Sequence, residues 1–265
     1  MYGRGTGRGY GGGHWGGGLG IGPGTTPPVV KRLLIANFAV FALQFLTSGG
    51  RAFGPIEQLF AVRPILVWQH GYLWQPFTYM WLHSVHQPFH ILMNMFLLWM
   101  FGSPVALLWG PRRFLRFYLA CGVGAGFIIS LFPYLLVAFG WPAEQLAYPT
   151  LGASGAIYGV ILAYSLTWPD RTIMLIFPPV AFRAIWLIPV MFFLTLLFGG
   201  ANVSHIGHLG GLLVAWLWLR RSGEAGRGLL SPSRLRYHWN RFRMRRRLRA
   251  VRRDDEFRRR DRTFH

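Results

Sequence analysis

The sequence predicts an all-α membrane protein, six transmembrane helices in one bundle with disordered N- and C-terminal tails. Three observations predict it. The chain is 52% hydrophobic and only 14% charged, whereas a soluble domain carries about 25% charged residues. No Asp, Glu, Lys or Arg occurs from Ala184 to Leu219, and an uncharged apolar run of about 20 residues is long enough to cross a bilayer. The mean hydropathy is +0.32 although the net charge is +20, so the cations are segregated from the apolar runs.

Six apolar segments follow in order. The first covers about Leu33–Leu46. The second covers about Pro88–Phe101, with Pro88 suited to a first helical turn. The third covers about Phe114–Phe139, with Pro133 an expected kink. The fourth covers about Gly152–Trp168 and stops at Pro169. The fifth covers about Ala184–Phe198 and the sixth about Val203–Leu219. Between the first two lies Gly49–Gln87, mixed in character and rich in Trp, Pro and His. It reads as an interfacial structure with Trp68, Trp74 and Trp81 at headgroup level. The run Phe177–Arg183, with paired prolines, reads as interfacial too.

These segments divide the chain into a Gly-rich tail (1–30), a membrane domain (31–221) and an Arg-rich tail (222–265). Thirteen of the first 24 residues are glycine, a composition that cannot bury enough surface to order itself. Residues 1–28 do not read as a signal peptide, because they have no apolar core. Gly7–Gly12 matches the pattern GxGxxG, but no strand precedes it and no helix follows, so it reads as low complexity. The single cysteine, Cys121, rules out an intrachain disulfide.

Lys and Arg accumulate in cytoplasmic loops. Arg4, Arg8, Lys31 and Arg32 precede the first segment; Arg112, Arg113 and Arg116 separate the second and third; Arg171 and Arg183 separate the fourth and fifth. Seventeen arginines lie from Arg220 onward, while the other set of loops holds only Arg51 and Arg63. An integral, multi-pass chain with both termini cytoplasmic satisfies this pattern; five spans would leave one basic end outside.

With that topology, segments two, four and six all enter from the outer face. Their first turns carry His90 and Asn94, Ser154 and Tyr158, and His205 and His208. Polar groups converging at one membrane depth are costly and mark a functional site. Taken alone, Ser154 in the string GASG is a packing or capping residue. The GxxxG spacings Gly155–Gly159 and Gly207–Gly211 let two helices approach closely, which would bring a histidine of segment six to Ser154. Either His205 or His208 could then act as its base.

No carboxylate is placed to orient that histidine. All eight acidic residues lie in loops or tails, so a Ser-His-Asp triad is not expected and a dyad remains. The soluble hydrolase elbow GxSxG is absent, since position 156 is Ala. His83, His86 and His90 have ligand-like spacing, but HExxH is missing and no acidic residue sits in a span, so no metal site is expected. No cofactor is implied.

The strings TYMWLH and HILMNMFLLWMFG, GASGAIYG and HIGHLGG, in that order on those segments, resemble the rhomboid intramembrane serine proteases from about Trp74 to Trp218. The resemblance implies a six-helix core whose cavity opens to the outer face. It implies Ser154 as nucleophile, His208 as base with His205 as the alternative, and His90 and Asn94 as oxyanion donors. It gives Tyr158 and Gly152 supporting roles, Tyr158 packing against the base. Expected substrates are single-span membrane proteins, cleaved near the outer face at small or helix-breaking residues. A rhomboid-like protein that binds clients without cleaving them is the alternative, and the intact Ser154 and His208 argue against it. The Arg-rich tail is directly juxtamembrane, which favours contact with anionic lipid over nucleic acid.

Overall fold

A computed structural model describes residues 22–175, 179–198 and 204–222. The Gly-rich tail before Gly22, the Arg-rich tail after Ser222 and part of Phe177–Arg183 lie outside the described residues. Helix α1 (Pro28–Ser48) starts five residues before the expected boundary, because Pro28 takes the first helical position and needs no amide partner. It ends at Gly49, whose φ of +57° makes a left-handed stop.

The connection to the next span is itself built from short helices: α2 (Pro55–Phe60), α3 (Pro64–Gln69), α4 (Gln75–Thr78) and a 3₁₀ turn at Tyr79–Trp81. Each of the three α-helices has proline in its first turn. Glu57 corrects the expectation that every acidic residue lies in a loop or tail: it sits in α2 and is 1% exposed. The Gln44 amide on α1 donates 2.6 Å to its carboxylate and 3.0 Å to the carbonyl of His83, and accepts from the His83 amide at 3.0 Å. One buried side chain thus ties α1, α2 and the approach to α5 together. Trp68 and Trp74 are about half exposed, each donating its indole N–H to a backbone carbonyl.

Helix α5 (Pro88–Leu97) does not stop at Phe101. It passes through a π-helical stretch at Leu98–Gly102 into α6 (Ser103–Trp109). Wider winding just before Pro104 accommodates a residue that has no N–H to donate. Helix α7 (Pro111–Ala138) continues through Pro133. Helix α8 (Ser154–Thr167) is followed by a hairpin, β1 (Thr172–Met174) with β2 (Ala181–Arg183), pairing Ile173 with Phe182. Helices α9 (Leu187–Phe198) and α10 (His205–Arg221) complete the order.

Among the described residues, the helices Pro28–Ser48, Pro88–Trp109 and Pro111–Ala138 are long and apolar enough to cross a membrane, and α8, α9 and α10 are shorter. The protein is mostly helical and membrane-embedded. Its packed centre is the trio α7, α8 and α10. A methyl group on Gly211 of α10 would run into the backbone of Gly155 on α8, and one on Gly159 would lie 2.6 Å from Cys121 Sγ of α7. The two GxxxG faces read from the sequence therefore do meet. This close approach positions everything below.

Candidate active site

Ser154 is the first residue of α8. Its entry is fixed on two sides. Val62 and Thr150 exchange backbone hydrogen bonds at 2.9 and 2.8 Å, and the Gly152 amide donates 3.0 Å to the Tyr79 carbonyl. Gly152 has a φ of +125°, a conformation that side chains disfavour. Space matters there too: a Cβ would lie 3.0 Å from His90 Nε2 and Cε1 and 4.0 Å from Ser154 Oγ. Gly152 thus leaves room where the His90 ring and the Ser154 hydroxyl border one gap.

Helix α10 brings the histidines. The Ser204 hydroxyl accepts from the Gly207 amide at 3.1 Å and caps the helix, setting its register. That register puts His208 Nε2 at 2.9 Å from Ser154 Oγ. His205, the alternative, makes no hydrogen bond to the serine among the described residues. Its ring lies 6.3 Å from that of His208 at 87°. His208 is 5% exposed, and its Nδ1 has no hydrogen-bond partner among the described residues. Among the described residues no carboxylate bonds to the ring.

Packing orients it instead. Tyr158, one turn after Ser154, stacks on His208 with centroids 4.1 Å apart and planes at 16°. The tyrosine is held in turn. Thr195 on α9 spends its own proton on the Met191 carbonyl at 2.7 Å, so the Tyr158 hydroxyl is the donor in the 2.9 Å bond to Thr195 Oγ1. Phe192 meets Tyr158 edge-on at 5.3 Å and His208 at 6.2 Å. Sequence reasoning missed Thr195 and Phe192. The available signal was that Thr195 is the lone hydroxyl in LIPVMFFLTLLF.

His90 and Asn94 stand one turn apart on α5, as the spacing required. The Asn94 amide is 5% exposed and donates 2.9 Å to the His90 carbonyl, which leaves its second N–H uncommitted. His83 packs against His90 with ring centroids 5.2 Å apart. Burial and the neighbouring His90 ring push the His83 pKa down to about 3. Among the described residues no three His, Cys, Asp or Glu side chains gather as metal ligands would. The arrangement places a helix-terminal hydroxyl against the nitrogen of a buried imidazole, beside a gap bordered by Gly152.

The sequence profile of the rhomboid domain matches residues 70–222, from His70 through the end of α10. The chain belongs to the rhomboid family. It is 33% identical over 129 residues to the mouse (Mus musculus) presenilin-associated rhomboid-like protein, mitochondrial, covering 47% of this chain and 32% of that protein. It is 34% identical over 142 residues to RHOMBOID-like protein 12, mitochondrial, of Arabidopsis thaliana, covering 49% and 42%. It is 29% identical over 198 residues to Rhomboid protein 1, mitochondrial, of Saccharomyces cerevisiae, covering 72% and 52%. The rhomboid chain described here thus spans about a third to a half of the length of these relatives.

Proposed function

We propose that this rhomboid is an intramembrane serine endopeptidase that uses a Ser154–His208 dyad to cleave transmembrane segments near the outer membrane face. The observation that carries the reading is the 2.9 Å contact between Ser154 Oγ and His208 Nε2. His208 takes the hydroxyl proton as Oγ attacks the scissile carbonyl, then returns it to the departing amine. A water, deprotonated by the same imidazole, hydrolyses the acyl-serine and releases the new carboxyl end. Charge on the tetrahedral oxygen is met by the Ser154 backbone N–H, which lies in the first turn of α8 and has no i−4 carbonyl, and by donors from His90 and Asn94. Tyr158 does the orienting that a carboxylate does in a triad.

In this reading residues 31–221 form a six-span membrane domain with disordered tails, both termini cytoplasmic and the dyad opening outward. Its substrates are single-span membrane proteins, and the Arg-rich tail rests on anionic lipid. Reporter fusions that place the C-terminus outside would overturn the topology. Labelling with a fluorophosphonate tests the chemistry. Wild type and His205→Ala are expected to label, while Ser154→Ala and His208→Ala are not. Labelling that survives Ser154→Ala would locate the nucleophile elsewhere; loss in His205→Ala with retention in His208→Ala would reassign the base.

A further inference from the structure

We infer that the end of the bundle opposite Ser154 carries a binding groove for one anionic glycerophospholipid, built by the first turns of α1 and the α6–α7 corner. A cavity of about 550 Å³ lies there, bordered by Pro28, Arg32, Leu107, Gly110, Arg112 and Leu115, within the size range of small-molecule sites. Its walls are apolar and its rim is cationic. Leu107 is 56% exposed, so the groove opens sideways toward lipid rather than into the core. Arg32 and Arg112 flank it from two different helices, and neither has an ion-pair partner among the described residues. Neither α1 nor α7 has an acidic residue in its first turn, so their positive helix ends stand uncompensated beside those arginines.

The depth of the groove fits a headgroup. Three Trp–Arg stacks mark this end of the bundle: Arg113 over Trp109, Arg171 over Trp168 and Arg220 over Trp216, at 4.9, 4.9 and 5.2 Å. Tryptophan and arginine at helix ends settle at the bilayer interface. The cavity shares the Trp109–Arg113 corner and is therefore at phosphate depth, its apolar wall continuing toward the hydrocarbon. A phosphodiester bridging Arg32 and Arg112, with one acyl chain lying along Leu107 and Leu115, satisfies both parts of the lining. A zwitterionic lipid carries the same phosphodiester but sets its own cation beside the two arginines, and a free anion leaves the apolar wall bare. This site is distinct from diffuse attraction to the Arg-rich tail, and it does not depend on the dyad being active.

The test uses the full chain in phosphatidylcholine nanodiscs doped with phosphatidylglycerol, with lipid retention read by native mass spectrometry. Wild type is expected to keep one phosphatidylglycerol in preference to phosphatidylcholine. An arginine near the surface contributes roughly fivefold in affinity, so Arg32→Gln with Arg112→Gln should weaken retention on the order of 30-fold. Leu115→Trp, which fills the groove and leaves the charge intact, should also displace the lipid. Arg259→Gln with Arg260→Gln removes the same charge from the tail and should leave retention unchanged. Equal loss in the tail variant, or no preference for phosphatidylglycerol in wild type, would overturn the site. Retention unaffected by Leu115→Trp would place the lipid on the general surface and overturn it as well.

Discussion

Gly211→Ala offers a sharp test of how this site is held together. The added methyl would meet the Gly155 carbonyl group, its carbon only 2.6 Å away, where ordinary contact begins at 3.4 Å. The obstruction is backbone and cannot rotate aside, so α8 and α10 must part by on the order of 1 Å at that crossing. Gly211 is about one turn beyond His208, and Gly155 adjoins Ser154. The strain therefore falls on the Ser154–His208 contact, which would stretch from 2.9 Å to well outside hydrogen-bond range. A displacement of this size costs about 10²-fold in turnover, and overpacking costs about 1–3 kcal/mol in stability. The assay is the fluorophosphonate labelling rate of the full chain in bilayers, at a temperature where melting shows the variant folded. Leu213→Ala, at a half-exposed position on the same helix, serves as the control and should label normally. A Gly211→Ala protein that labels at the wild-type rate would refute both the close crossing and its role in setting the dyad.

The remaining predictions concern the groups around the dyad. Asn94→Ala should lower kcat by roughly 10²–10³ with little change in KM, and His90→Ala with Asn94→Ala should be worse but less than additive; full activity in the double variant would leave both as packing residues. Thr195→Val should slow turnover by releasing Tyr158 from its 2.9 Å bond, and Thr195→Ser should restore it; equal rates in all three proteins would show that stacking alone holds the tyrosine. His83, buried neutral with a pKa near 3 against an ordinary value of 6.5, should add stability that is complete above pH 6.5 and is lost as pH falls toward 3. The slope is at most about 1.4 kcal/mol per pH unit, and it should flatten in His83→Gln when thermal melting is followed between pH 7 and the carboxylate range.

The sequence was most readable where one physical rule dominates. The starts of the helices at Pro88 and Ser154 follow from proline chemistry and from the GASG string, and the close approach of α8 and α10 follows from two GxxxG spacings. Where rules compete, sequence reading fell short. Apolar periodicity could not show that the second span continues through a π-helical stretch to Trp109, because Gly102–Ser103–Pro104 reads as a stop. It could not show the four short elements of Gly49–Gln87, three of them opened by a first-turn proline rather than by a hydrophobic pattern. It also misplaced Glu57, because a carboxylate near a membrane surface reads as solvated unless its partner, Gln44, is known to face it across 13 residues.

The same limit explains the part of the site that went unread. His205 and His208 are one turn apart and chemically identical, so spacing could not choose between them. The choice is made by the Ser204 cap, which fixes where α10 begins and so which ring faces α8. The absence of a spanning carboxylate was visible, and so was Tyr158 as the ring that would pack on the histidine; what the sequence could not show is how the tyrosine is itself held. A buried imidazole that must accept a proton needs its orientation fixed before the proton moves. In a triad, a charge does that through Nδ1. Here Nδ1 has no partner among the described residues, and the ring is instead held by its face, through Tyr158, whose hydroxyl is anchored on α9 at Thr195. A stacked ring avoids placing an anion at membrane depth, where an uncompensated charge is expensive. If His208 acts as the proposed base, its geometry depends on a third helix, and α9 becomes part of the site although it contributes no proton-transfer group of its own.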